Sequence, residues 1–246
     1  MSIANEIQRL QSAKADIKAA IEQKGVTVGD GTIDTYAEKI GEISGGGDNH
    51  YDTFWDAYQN NGARTAYRYA FSANWTDEIF KPKYVVKPTS ANYMFYESQI
   101  TTLADCDKID LSNCTEMDYF ARFSKIKDFP PLDVSKVKSL NSAFRDTNWS
   151  LERLTLNNVQ PTCAFVSTFL NANQLTELCI TGTIGKDVSL AQSSLLTNAS
   201  IQNIIDCLAD LTGDTAQTLT LHATVGNKLT DTQKATITAK NWTLVY

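Results

Sequence analysis

Few side chains in this 246-residue sequence are suited to catalysis or metal binding. Only two histidines are present, His50 and His222. This small number disfavours a Ser–His–Asp triad and a histidine-rich metal site. The five cysteines include no pair with the Cys-x-x-Cys spacing typical of zinc sites, and we expect free, mostly buried thiols. These cysteines are Cys106, Cys114, Cys163, Cys179 and Cys207.

The acidic residues do not form a recognisable catalytic motif. A glycosidase needs two placed carboxylates, and the 28 aspartates and glutamates include no pair in a known pattern. The sequence also lacks a G-x-S-x-G elbow, a P-loop, a dinucleotide-binding glycine motif and H-E-x-x-H. Asp110 and Asp133 are expected to bind nearby backbone N–H groups in turns. The sequence therefore predicts a protein that is not an enzyme and needs no metal or cofactor.

Composition and charge restrict the classes of partner. The net charge is −6, whereas nucleic-acid binding depends on a basic surface, so DNA and RNA are disfavoured. The sequence contains no apolar run long enough to insert into a membrane. Its N-terminus lacks the basic and apolar regions of a secretion signal. We expect synthesis in a cytoplasm, with retention there or release by lysis.

The apolar residues near the N-terminus are spaced as in a coiled coil. Isoleucine at position a with isoleucine or leucine at d favours three strands over two, and Lys14 at an a position can fix the register. A second short helix folding back as a hairpin is the alternative to a trimeric stalk or docking module. The predicted oligomerisation residues are Ile3, Ile7, Leu10, Lys14, Ile17 and Ile21. Residues 1–44 form this helical module, and residues 45–50 are a glycine-rich linker.

A repeat begins at about residue 91. Phenylalanines recur at spacings of 25, 24 and 25 residues, and each is followed by a short segment of alternating apolar residues. That period and the L-x-L pattern are typical of leucine-rich repeats, in which each repeat adds one parallel strand to a stacked solenoid. The phenylalanines are Phe95, Phe120, Phe144 and Phe169, and the segments are 109–111, 132–134, 154–156 and 178–180.

The predicted fold is α/β: a helical, coiled-coil-like N-terminal module followed by a leucine-rich-repeat solenoid with terminal caps. Residues 51–90 are an aromatic N-terminal cap, residues 91–193 are the repeats, and residues 194–246 are the last repeat and the C-terminal cap. The aromatic block has a second interpretation, a carbohydrate platform. The C-terminal cap is expected to contain a helix from Asn198 or Ser200 to Leu211, a strand at 218–221, a helix opening at 229–231 and a strand at 242–245.

Three stretches carry a resemblance to two known kinds of protein. Residues 110–117 and 132–140 resemble the bacterial surface-antigen (BspA-like) leucine-rich repeats, although residues 154–157 lack the Asp-x-Ser element. Residues 13–40 are similar to an N-terminal module of tail and other virion proteins of phages that infect Gram-positive hosts. The resemblance of the repeats covers residues 91–246. Together, the two resemblances imply a phage virion protein.

These observations predict a non-enzymatic virion surface protein, of tail-fibre or receptor-binding type. A homotrimer would attach to other virion proteins through the N-terminal module and bind a glycan or protein of the host surface through the solenoid. Two alternatives are a capsid decoration or head-fibre protein and a bacterial leucine-rich-repeat interaction protein. The candidate ligand-binding residues are Asp110, Asp133, Thr155, Trp55 and Trp75.

Overall fold

A computed structural model provides the fold. It describes residues 3–22, 27–28, 70–73, 75–77, 80, 85–104 and 106–246. The second predicted helix, the glycine-rich linker, His50 and Trp55 lie outside the described residues. The chain divides into two compact units, Met1–Gly62 and Ala63–Tyr246, which we describe separately.

The first unit contains helix α1, Ile3–Glu22, which confirms a helix at the N-terminus. Its sequence is rich in alanine, glutamate, glutamine and lysine, all good helix formers. Three apolar residues of the predicted seam are exposed: Ile7 by 51%, Leu10 by 55% and Ile17 by 39%. Ile21 is buried. Most of the described part of the seam is therefore accessible in the single chain.

The second unit mixes helices with parallel strands, which confirms the α/β class. One three-stranded sheet consists of β1 (Leu132–Asp133), β2 (Arg153–Val159) and β3 (Glu177–Gly182), in that order. All pairings are parallel, with Leu132 opposite Leu156 and Leu154 opposite Leu178. Because successive strand residues point to opposite faces, the leucines of these segments enter the core together.

The second sheet is also parallel and three-stranded. It consists of β4 (Val188–Leu190), β5 (Gln217–Leu221) and β6 (Trp242–Val245). The predicted strands at 218–221 and 242–245 are confirmed as parts of β5 and β6.

Turn chemistry sets the lengths of the strands in the first sheet. The predicted segment 109–111 makes only a single bridge, between Val86 and Ile109, and β1 has two residues. In both places an aspartate of the Asp-x-Ser element accepts a backbone N–H two residues later, which turns the chain. The repeat at 154–157 lacks that element, and β2 continues for seven residues.

The described part of the second unit also contains three helices. Helix α2 (Asn198–Cys207) is capped by the side chain of Thr197, and α3 is the single turn Ala223–Gly226. Helix α4 (Asp231–Ala239) begins with a capping box made by Thr230 and Gln233, which confirms the predicted opening at 229–231. Helix α2 ends before the predicted Leu211, because Leu208 becomes extended and pairs with Ile184.

A column of buried phenylalanine rings fills the space between successive repeats. Neighbouring ring centroids are separated by 5.2, 5.3, 6.0 and 6.2 Å along the column. Phe71 is the first ring of this column, so ring stacking extends upstream of residue 91. The column consists of Phe71, Phe95, Phe120, Phe144 and Phe169.

The segments that carry these rings are also joined by backbone hydrogen bonds. We call the segments 91–97, 117–123, 140–146 and 165–171 the arcs. Alternate N–H groups of one arc donate to carbonyls of the next, and the N···O distances from the first arc are 2.7–3.0 Å. The donors of the first arc are Ala91, Tyr93, Phe95 and Glu97, and those of the third are Leu140, Ser142, Phe144 and Asp146. The arcs therefore form a second ladder besides the strands.

Each arc contains two residues in the left-handed region, four positions apart. Their φ values lie between 53° and 62°, a conformation that costs an L-residue roughly 1–2 kcal/mol. Inter-repeat hydrogen bonds fix the arcs in this conformation. The pairs are Tyr93 with Glu97, Tyr119 with Phe123, Ser142 with Asp146, and Ser167 with Asn171.

The phenylalanine of the second arc is displaced by one residue relative to those of the other arcs. Two residues after the first left-handed position, the other three arcs carry a phenylalanine, whereas the second arc carries Ala121. Phe120 supplies the ring from the preceding position. A further buried ring, Phe129, lies 5.7 Å from Phe120 and 5.6 Å from Phe144 and adds to the column at this point.

Candidate ligand-binding surface

A groove of about 610 Å³ lies over the first sheet. Its volume lies within the range of small-molecule and oligosaccharide sites. Strands β2 and β3 provide Arg153, Thr155, Glu177 and Cys179, and helix α2 forms one wall. Because alternate strand residues face away from the core, this groove collects the outward side chains of neighbouring repeats.

One ion pair fixes the charged side of the groove. Arg153 Nη2 lies 2.7 Å from Asp128 Oδ2, and the Asp128 side chain is only 13% exposed. Asp128 Oδ1 is buried and has no hydrogen-bond partner. Glu177, which lies opposite Arg153 in the strand register, is exposed. The groove thus presents a held guanidinium and a solvated carboxylate, both suited to polar ligands.

Side chains of α2 substitute for a missing strand at the edge of β3. The amide of Asn203 accepts from Ile180 N–H at 2.7 Å and donates to Ile180 C=O at 3.0 Å, as a neighbouring peptide group would. Ser200 Oγ accepts from Leu178 N–H at 3.0 Å. These contacts satisfy the edge of the sheet and hold the wall of the groove in place.

The five cysteines are free thiols with different exposures. Burial raises the pKa of Cys114 to about 11 and that of Cys163 to about 12, so both remain protonated near neutral pH. Cys179 is exposed in the groove. Cys207 is half-buried and donates to Ile180 C=O; desolvation, with a smaller contribution from Asp206, raises its pKa. The expectation of mostly buried thiols therefore does not hold for Cys179.

The two predicted aspartates lie outside this groove and act in turns. Ser112 N–H donates to Asp110 Oδ1 at 3.0 Å, and Ser135 N–H donates to Asp133 Oδ1 at 2.9 Å. This confirms the expected bonding to nearby backbone. Lys87 lies 3.4 Å from Asp110, and Asn158 donates to Asp133 at 3.3 Å.

The structure does not bring all three predicted sheet residues together. Asp110 and Asp133 are close enough to interact electrostatically. Asp133 is opposite Asn157, two residues beyond Thr155, and only Thr155 lines the groove. The aspartates and Thr155 are therefore at different positions across the sheet face.

Trp75 is part of an aromatic cluster. Its ring lies edge-on to Phe71 at 5.3 Å and to Phe80 at 6.1 Å, and Phe71 contacts Phe95 of the first arc. This packing favours the capping interpretation of the aromatic block over a flat platform at Trp75. Trp55 lies outside the described residues.

The predicted oligomerisation residues are all on α1. For Ile3 only the backbone is described, and Lys14 is half-buried. The remaining four residues have the exposures given above.

His222 has a local structural role, since its Nδ1 accepts from Thr224 N–H at 3.1 Å and caps α3. Within the described ranges, no cluster of three or more histidine, cysteine, aspartate or glutamate residues could hold a metal ion.

Sequence reasoning did not identify Arg153, Glu177 and Asn203 as groove residues. The pairing of Arg153 with Glu177 was accessible in principle, because both precede the L-x-L segments by one residue and are 24 positions apart. The roles of Asp128 and Asn203 depend on the packing of a loop and of α2 against the sheet, for which the sequence carries no periodic signal.

Comparison with known proteins assigns no family. No family model, curated protein or solved structure matches the chain significantly. None of the described helices combines the length and apolar character needed to cross a bilayer.

The turn aspartates make stability depend on pH. Hydrogen bonds from Ser112 lower the pKa of Asp110; at Asp133, burial opposes the hydrogen bonds from Ser135, but these prevail and its pKa is also lowered. A lowered folded-state pKa gives stability that is complete above the unfolded value of about 4 and lost as pH falls through the folded value. We expect Asp110→Asn/Asp133→Asn, which retains the acceptor oxygens, to lose less stability on acidification than the wild type.

This is measured by denaturant unfolding at a series of pH values from 6 downwards. The exposed pair Asp206→Asn/Asp214→Asn is the control for removal of two negative charges. Equal acid sensitivity of the wild type and the Asp110/Asp133 variant would contradict the assignment.

Proposed function

We propose that this chain is a non-enzymatic virion surface protein, of tail-fibre or receptor-binding type, that recognises a host cell-surface ligand through a leucine-rich-repeat solenoid. The observation that carries the proposal is the open groove over the first sheet, with the Arg153–Asp128 pair at 2.7 Å on one side and Asn203 on the other. Such a surface has fixed polar groups and enough room for a saccharide or a peptide loop.

The solenoid interpretation is supported by contacts that recur at the repeat spacing. Parallel strands pair Leu154 with Leu178, and the arc N–H of Phe95 donates to Phe120 C=O at 2.7 Å. The column of phenylalanine rings lies between the same repeats. In a solenoid each repeat relies on its neighbours for its core, as these contacts require.

The chemistry of the turn aspartates supports a binding role over glycoside hydrolysis. A glycosidase acid must stay protonated near neutral pH, so its pKa is raised. Asp110 and Asp133 have lowered pKa values because they accept hydrogen bonds in turns. Their carboxylates are therefore suited to holding the backbone and unsuited to donating a proton to a leaving group.

The exposed seam of α1 supports a homotrimeric coiled coil. Ile7, Leu10 and Ile17 are exposed in a single chain, whereas a coiled coil would bury them against partner helices. Three copies joined in this way would present three grooves. Linking weak sites raises avidity by about 10² or more when they engage together, which suits attachment to a repetitive cell surface.

Adsorption of the full chain to host cells tests recognition through the groove. We expect fluorescently labelled wild-type protein to bind saturably to cells of the strain that the phage infects. Glu177→Lys/Cys179→Lys places two long cations on exposed groove positions, and it should reduce binding about tenfold or more.

The matched control is Asp214→Lys/Thr215→Lys, which makes the same charge change in an exposed loop away from the groove. Equal binding by both variants would contradict the groove as the ligand-binding site. No binding by the wild type would contradict host recognition.

The mass in solution tests the oligomeric state. Light scattering after size exclusion should give three times the chain mass of 27.2 kDa for the wild type. Ile7→Glu/Leu10→Glu/Ile17→Glu should give a monomer, because it buries charge in the seam.

Gln8→Glu/Ser12→Glu/Ala19→Glu adds the same charge on the opposite face of α1 and should leave the trimer intact. A monomeric wild type would contradict the trimer and favour a capsid decoration or adaptor protein.

A further inference from the structure

A second concavity, of about 460 Å³, lies beside the second and third arcs. Its rim carries Trp149, which is 88% exposed, far more than any other large apolar side chain in the described part of the chain. Phe123, at the left-handed end of the second arc, is 41% exposed and lines the same pocket. The guanidinium of Arg122 lies 4.5 Å from the centroid of the Phe123 ring and covers one of its faces. The exposed indole of Trp149 is therefore the flat apolar face on which a planar or ring-shaped ligand can stack.

The exposed indole is carried by a fixed backbone. Thr147 and Ser150 flank the tip, and both are buried. Thr147 Oγ1 donates to Phe144 C=O at 3.0 Å, and Ser150 Oγ donates to Ser124 C=O of the neighbouring repeat at 2.8 Å. Ser150 N–H also donates to Thr147 C=O. Because both sides of the turn are anchored, Trp149 is held ready for a ligand and little backbone order is lost on binding.

The polar groups of the pocket have unused hydrogen-bonding capacity. Ser124 is 4% exposed, and its hydroxyl has no partner. The side-chain oxygen of Asn148, next to the indole, is also buried without a partner. Both residues line the pocket. Buried hydroxyl and amide groups are normally satisfied, so these two atoms are candidate partners for the hydroxyl groups of a ligand.

Among the charged side chains that line the pocket, Lys125 has no ion-pair partner within the described ranges. Asp146 is bound by Arg122 at 3.0 Å and by Arg145 at 3.1 Å, and Lys127 lies 3.3 Å from Glu152. Lys125 itself is exposed.

A third carboxylate, Asp77, accepts hydrogen bonds from Thr101, which lines the pocket but is neutral. The four cations Arg122, Arg145, Lys125 and Lys127 exceed the three carboxylates Asp146, Glu152 and Asp77 by one, in a chain with a net charge of −6.

We propose that the pocket around Trp149 binds an acidic saccharide. A pyranose ring stacks on the indole, its carboxylate or phosphate faces Lys125, and its hydroxyls reach the polar groups of Ser124 and Asn148. The inference deepens the proposed host-recognition function and rests on it, by naming the ligand class and a site separate from the sheet groove. Sugars fit this chemistry better than an apolar protein surface, because the aromatic rim is narrow and surrounded by polar and charged groups.

The test applies the full-length chain to a glycan array with uronic-acid, phosphorylated and neutral saccharides, followed by titration of the best acidic oligosaccharide. We expect acidic glycans to bind, with quenching of tryptophan fluorescence on titration. Trp149→Ala should weaken the affinity about tenfold or more, and Trp149→Phe should retain part of it because a ring remains. Lys125→Gln should weaken binding of acidic glycans specifically, whereas the exposed control Lys186→Gln should not.

Three other outcomes would contradict binding of acidic glycans at the pocket. Binding confined to neutral glycans, no glycan binding, or equal affinity of Trp149→Ala and wild type would overturn the proposal. Host-cell adsorption, measured on the same preparations, distinguishes failure of the pocket proposal from failure of the proposed host-recognition function. Adsorption by the wild type without glycan binding refutes the pocket and leaves host recognition standing, for instance through a protein ligand. Absence of adsorption refutes the proposed function itself.

Discussion

Successive repeats of the second unit share their backbone hydrogen bonds and their core. The ring of Phe120 is covered from both sides, by Phe95 at 5.3 Å and by Phe144 at 6.0 Å, and neither neighbour belongs to its own repeat. The same junctions carry the arc ladder and the parallel strands. This dependence explains why left-handed conformations persist at Tyr119 and Phe123, since each junction offers several hydrogen bonds that hold the arc.

The dependence also explains how the chain builds rigid surfaces from short elements. A two-residue strand such as β1 has no independent stability, yet its position is fixed by β2 and by the turn at Asp133. The groove and the Trp149 pocket both consist of side chains from neighbouring repeats, so stacking determines their geometry. Ser150, which anchors the Trp149 turn, does so by binding a carbonyl of the repeat before it.

The sequence allowed the periodic part of this fold to be predicted. The spacing of the L-x-L segments indicated parallel strands, and the Asp-x-Ser elements indicated turns. The solenoid expected from the same spacing stays a prediction. The helix opening at 229–231 was predicted as well, and the structure shows that a capping box at Thr230 forms it. These features depend on residue type at fixed spacing, which a single sequence displays directly.

The features that escaped prediction are those set by tertiary contact. The left-handed arc positions are occupied by tyrosine, glutamate, phenylalanine, serine, aspartate and asparagine, so no glycine marked them. Phe129 joins the phenylalanine column from outside the arcs, and Asn203 satisfies the edge of a sheet from a helix. Trp149 is a lone aromatic residue in the sequence, and its exposure beside a polar pocket depends on tertiary packing.

Hydrogen–deuterium exchange on the full-length chain tests the stacked array most directly. If the arcs form a second ladder, the amides of Phe95, Ala121 and Phe144 will exchange as slowly as those of β2 and β3, because each opens only when repeats separate. The exposed turn at 212–216, with Gly213 at its tip, will exchange quickly and provides the internal reference. Fast exchange of the arcs, at the rate of that turn, would contradict the account.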